Sequence, residues 1–129
     1  MRVNWEEITD KEAYVKKTLR VEASDIPMEK INAAEWREEE VRLSRLKIDR
    51  QLIEDQDKVV LHNQRRDKFM EAIRRGEAIK PLIALGRERF LVDGYARYRA
   101  CVKMGARKVR VLLQDFRHSG EVGGGKGLE

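Results

Sequence analysis

The sequence predicts an α+β fold: a small mixed β-sheet with surrounding helices and an N-terminal helical extension. Three observations carry that expectation. The apolar run 89–92 leads through Asp93-Gly94 into a helical stretch that ends at Gly105. Two short apolar runs, residues 82–85 and 89–92, flank the tight turn Gly86-Arg87-Glu88, and a third, residues 109–113, follows the helix. Ahead of all of these, Thr9-Asp10-Lys11-Glu12 has the form of a capping box, in which side-chain oxygens satisfy the first free amides of a helix.

Each element follows from local chemistry. The capping box starts a helix running from Asp10 to about Leu19. Ser24-Asp25-Ile26-Pro27 can start a second, with Ile31, Ala34 and Trp36 turned inward. Residues 41–48 read as the first strand of the sheet, while residues 52–64 are ambiguous. Asp67 is placed to cap a helix over residues 68–75, where Phe69, Ala72 and Ile73 have helical spacing and Gly76 suits the position just past the end. Pro81 then opens the strand over residues 82–85. The domain limits that result are a helical extension over residues 1–40, a folded domain over 41–116 and a flexible tail over 117–129. The tail's Gly123-Gly124-Gly125-Lys126-Gly127 lacks the spacing and the following Ser or Thr of a P-loop.

Composition narrows the class. At 129 residues the chain suits one domain with a modest core. Charged residues make up 40% and the mean hydropathy is −0.67. No apolar run is long enough to span a bilayer and no signal-peptide pattern opens the chain, so the expectation is a cytoplasmic protein without a membrane partner. A single cysteine excludes an intrachain disulfide, and Cys101 falls on the apolar arc of its helix, where packing is its expected role. His62 and His118 have no metal-ligand spacing, so no metal site is expected on them. Charge is uneven: residues 1–40 carry −4, residues 41–116 carry +9, and the tail is neutral. A basic lobe fits an anionic partner, nucleotide or polynucleotide, and it also fits a densely charged solvated surface.

The strand–Gly94–helix junction is the candidate site. A helix starting at a glycine turns free amides and the positive end of its dipole toward whatever lies ahead, and an anion suits both. The Gly94, Tyr95 and Ala96 amides are therefore candidates to hold phosphate. At about 100° per residue, Arg97 projects into the apolar arc of that helix, whereas Arg99 and Lys103 share its polar face. An arginine in an apolar arc needs a partner, either a structural one such as Asp93 or a bound phosphate.

Gly94, Arg97, Tyr98, Arg99 and Ala100 resemble the signature of the ParB/sulfiredoxin-like superfamily, which includes the N-terminal domain of ParB partition proteins, sulfiredoxins and archaeal free serine kinases. The resemblance extends upstream over residues 69–83 and downstream over residues 105–113, and covers about residues 41–116. It implies a ParB/sulfiredoxin-like sheet domain that binds a nucleotide, ATP, ADP or CTP, with magnesium alongside. Tyr95 stands where sulfiredoxins carry their nucleophilic cysteine, and a phenol cannot do that thiolate chemistry, so sulfiredoxin activity is excluded. Tyr95 and Ala96 also replace the glutamate and arginine usual in ParB proteins.

Two functions of different class follow. In the first, a nucleotide-dependent phosphotransferase or a nuclease, the resemblance to free serine kinases assigns Asp93 as general base or magnesium-positioning carboxylate and Glu54 as the second catalytic carboxylate, while Arg97 neutralises developing charge. In the second, a non-catalytic DNA-binding or nucleotide-sensing module, Arg65, Arg66, Arg74, Arg75, Arg107, Lys108 and Arg110 contact backbone phosphate. A missing catalytic carboxylate favours the module. The extension over residues 1–40 can act as a lid, as packing or as a dimer arm, which leaves a homodimer open.

Overall fold

The two inner strands of the sheet carry eight of its apolar residues. In a computed structural model of the chain, which describes residues 2–22 and 35–115, β4 (Lys108–Asp115) lies between β1 (Glu35–Arg42) and β2 (Leu82–Leu85), and β3 (Phe90–Asp93) closes the far side in the order β1-β4-β2-β3. β1 runs antiparallel to β4, β2 parallel to it, and β3 antiparallel to β2. The sheet is mixed, as predicted. Four helices accompany it among the described residues: α1 (Lys11–Glu22), α2 (Arg50–Asp57), α3 (Val60–Arg74) and α4 (Tyr95–Lys103).

Side-chain alternation along β4 feeds two cores. Val109, Val111 and Leu113 join Leu82, Ala84 and Leu91 against Met70 and Ile73 of α3 and Tyr98 and Cys101 of α4. On the opposite face, Leu112, Ile83 and Trp36 pack against Val15 and Leu19 of α1. α1 is therefore the cover of the sheet's second face.

Several boundaries move, each for a physical reason. The first strand occupies Glu35–Arg42 rather than residues 41–48, straddling the expected domain limit at residue 40. Its acidic sequence is tolerated because an edge strand faces water, and Glu38 and Glu40 meet Arg110 on β4 at 3.4 and 3.9 Å. α1 is capped by Asp10, whose carboxylate accepts from the Ala13 amide at 3.1 Å, and extends to Glu22. The ambiguous residues 52–64 become most of α2 and the start of α3. Asp67 is not a cap: it lies inside α3 and pairs with Arg66 at 2.9 Å. Gly76 does terminate α3, at φ 75°, with the paired Gly76-to-Ile73 and Glu77-to-Ala72 amide bonds of a Schellman end. β3 starts at Phe90 because Arg89 adopts φ 59° and belongs to the turn. The second N-terminal helix expected after Ser24 and the tail over residues 117–129 lie outside the described residues.

No described helix is long and apolar enough to cross a membrane. Among the described residues no cluster of three or more His, Cys, Asp or Glu side chains is arranged to hold a metal ion.

Cys101 makes the helix–sheet core sensitive to alkali. It is fully buried, and burial pushes its thiol from 9.0 up to about 11 against the pull of Arg97. Over that window the unfolded chain releases a proton that the folded chain keeps, so stability falls as pH rises from 9 to about 11. Chemical denaturation across the window should show wild type losing about 2–3 kcal/mol more than Cys101→Ala. Parallel curves for the two proteins would mean the thiol does not titrate differently on folding.

Candidate phosphate-binding cleft

The site is built where β3 turns into α4. The β2–β3 register slips between Ile83 and Ala84, which adds one residue to β3 just ahead of Asp93. Such bulges re-aim a strand's last side chains. Gly94 then takes φ 102° and ψ 27°, a left-handed conformation, and caps α4 without a side-chain bond. The first intrahelical bond runs from the Tyr98 amide to the Gly94 carbonyl at 2.8 Å. The Tyr95, Ala96 and Arg97 amides thus have no acceptor within the helix, as at any helix start. A Cβ on residue 94 would sit 2.8 Å from Leu82 Cγ and 3.3 Å from the Arg97 guanidinium. Only glycine fits both the backbone and the space.

Arg97 is committed to the scaffold. Its guanidinium donates to the Asp93 carboxylate at 2.9 Å and to the Lys80 and Pro81 carbonyls at 2.8 and 3.1 Å. Asp93 and Arg97 are both about nine-tenths buried. Of the two partners the sequence allows, the structure has the carboxylate. This four-residue bridge spans Gly94 and ties the start of α4 to the chain leading into β2. The guanidinium also lies 5.8 Å from the centre of the Phe69 ring, a cation–π contact.

In front of this junction lies a cleft of about 210 Å³. Leu52 and Gln56 of α2, His62, Arg65 and Phe69 of α3, and the turn from Val92 to Arg97 line it. A wider groove of about 780 Å³ adjoins it, sharing Arg65, Phe69 and Arg97 and adding Lys68, Arg75 and Lys80. His62, Arg65 and Phe69 recur at helical spacing, so one face of α3 supplies them. His62 was isolated on spacing alone; reading residues 60–74 as one helix puts it on the cleft face. Among the described residues Arg65 makes no side-chain ion pair.

Other expected site residues fall elsewhere. Glu54 is exposed and absent from the cleft lining. Leu52 and Gln56 face the cleft one turn apart, and the position midway between them points about 160° away. Glu54 is thus no partner for Asp93. Arg99 is not on a solvated face: its side chain is 4% exposed and its Nε donates to Asp57 at 3.0 Å, because α2 and α3 cover that side of α4. The basic lobe is divided and partly neutralised in place. Arg66 pairs with Asp67, Arg74 and Arg75 with Glu71, Arg75 also with Glu77, and Arg110 with Glu38 and Glu40. Arg107, Lys108 and Arg110 line a separate cleft with Arg2, Asn4, Trp5 and Glu40. Burial raises the Tyr95 and Tyr98 phenols above their usual range.

No protein-family model matches the chain, and no curated protein matches it. Solved structures do. The C2221 form of a pNOB8-like ParB-N domain is 32% identical over 68% of this chain and 33% of its own, with a TM-score of 0.48. A second structure of the pNOB8-like ParB N-domain is 31% identical over 68% of this chain and 31% of its own, with a TM-score of 0.48. The chain is similar to a ParB N-domain. It spans about a third of the length of those chains. Gly94, Arg97 and Arg99 all have structural partners or constraints here, and Tyr95 and Ala96 both line the cleft.

Two substitutions separate brace from cleft surface. Arg97→Ala strands a buried carboxylate and should lower unlignaded stability by about 3–5 kcal/mol. Gly94→Ala, forced against Leu82 in a left-handed backbone, should cost about 1–3 kcal/mol. Arg65→Ala should stay within about 0.5 kcal/mol of wild type. Thermal and urea denaturation without ligand measure all three, and an undisturbed Arg97→Ala would contradict the brace.

Proposed function

We propose that the chain is a ParB-type phosphate-binding module whose ligand is a nucleotide. The reading rests on one observation: a left-handed glycine opens α4, with its free amides, into a cleft lined by His62 and the unpaired Arg65. Oriented amides and a helix dipole favour a phosphate there. Arg65 adds an exposed cation at the junction of cleft and groove, while Arg97, held by three hydrogen bonds, keeps the amides in place. The cleft has more than enough room for a phosphate group, and the adjoining groove has the volume usual for a small-molecule site. Phosphates in the cleft and the nucleoside in the groove is the arrangement this shape favours.

Binding without turnover is the stronger form of this proposal. Among the described residues Asp93 is the sole carboxylate lining the cleft, and its Oδ2 accepts from Arg97. A catalytic pair of carboxylates therefore lacks its second member among them. DNA is the weaker partner, because the basic residues are spread over clefts with no shared lining and several are paired with acids.

Calorimetric titration with ATP, ADP and CTP, with and without magnesium, tests the proposal. At least one should bind, Arg65→Ala should weaken it about tenfold, and no phosphate should be released over hours. Absence of binding by all three nucleotides would overturn the proposal, and release of phosphate would overturn its non-catalytic form.

A further inference from the structure

α2 supplies one wall of the cleft through Leu52 and Gln56, yet it has no buried residue of its own. Leu52 and Ile53 are only partly covered by the core. A wall with so little apolar anchoring must be held by other means, and two polar fastenings are present. At its start, the buried Tyr95 hydroxyl accepts from the Asp49 amide at 2.9 Å and donates to the Leu91 carbonyl at 2.8 Å. Asp49 in turn caps α2 by accepting from the Leu52 amide at 3.0 Å. At its end, Arg99 donates to Asp57, to the Asn63 side chain and to the His62 carbonyl. Asn63 also donates back to the Asp57 carbonyl at 2.9 Å.

Tyr95 and Arg99 are four residues apart, on one face of α4. The two ends of α2 are therefore fastened to successive turns of the helix whose start forms the phosphate site. We propose that Tyr95 and Arg99 are positioning residues that dock α2 on α4 and set the width of the cleft. For its ligand this rests on the phosphate-binding proposal; the docking itself does not. It also gives Tyr95 a role that its chemistry suits: a phenol can bridge a strand carbonyl and a helix-cap amide at once, being donor and acceptor.

The test uses the full chain as wild type, Tyr95→Phe, Arg99→Met and the double variant. Asp57 is 55% exposed, so removing Arg99 leaves a solvated carboxylate, and the fold should survive. Hydrogen exchange without ligand should show the Asp49 and α2 amides exchanging about tenfold faster in each single variant and about a hundredfold faster in the double. The β2 and β4 amides should keep wild-type protection. Unchanged α2 exchange, or equal loosening of sheet and α2, would overturn the docking role. Titration with pyrophosphate and ATP forms the second arm. If wild type binds, each single variant should bind about tenfold more weakly, and unchanged affinity despite a loosened α2 would overturn the control of cleft width. If wild type binds neither, the affinity arm is run with ADP and CTP, and the ligand proposal fails if these do not bind either, while the exchange data still decide the docking.

Discussion

The Asp93–Arg97 ion pair across Gly94 is the constraint on which the site depends. Burying two charges is costly unless they meet closely and their remaining hydrogen-bonding capacity is used. Here the guanidinium is shared among the carboxylate and two backbone carbonyls that precede β2. One side chain thus fixes the exit of β3, the start of α4 and the approach to β2. The bridge can form only because residue 94 lacks a Cβ, which would press on Leu82 and the guanidinium alike. Glycine, aspartate and arginine at this junction act as one unit.

With Arg97 so occupied, other groups are left facing the cleft. These are the first amides of α4 and the α3 face that carries His62, Arg65 and Phe69. The division is chemically sensible. The Asp93 and Arg97 charges are buried and paired with each other, whereas Arg65 is exposed and makes no ion pair among the described residues.

Helix α4 works on three sides. Cys101 and Ala100 are fully buried in the core, Arg97 faces the start of β2, and Tyr95 with Arg99 faces α2. This explains why a nine-residue helix contains so few solvated positions despite two arginines. Polar fastening of α2 also differs from apolar packing in consequence. Hydrogen bonds are directional and specify one geometry, and they add only modest net stability, so the wall is placed accurately but lightly.

The α+β class, the helix start at Gly94, the strand pair around residues 86–89 and the helix end at Gly76 were legible because each is governed by local chemistry: backbone freedom, turn geometry or a cap. The sequence likewise restricted Arg97 to a carboxylate or a phosphate, since a charge on an apolar arc must be compensated. It could not choose between them, as that requires knowing which carbonyls β2 brings within reach. Nor could it reveal that Glu35–Arg42 is a strand, for six of its eight residues are charged and the strand that recruits it lies some seventy positions away, as in the pairing of Glu40 with Arg110. Periodicity put Arg99 on a solvent face because periodicity sees one helix at a time. Only the packing of α2 and α3 on α4 buried it, turned Glu54 away from Asp93 and brought His62 and Arg65 in front of Gly94, because those placements depend on contacts between segments that no local signal encodes.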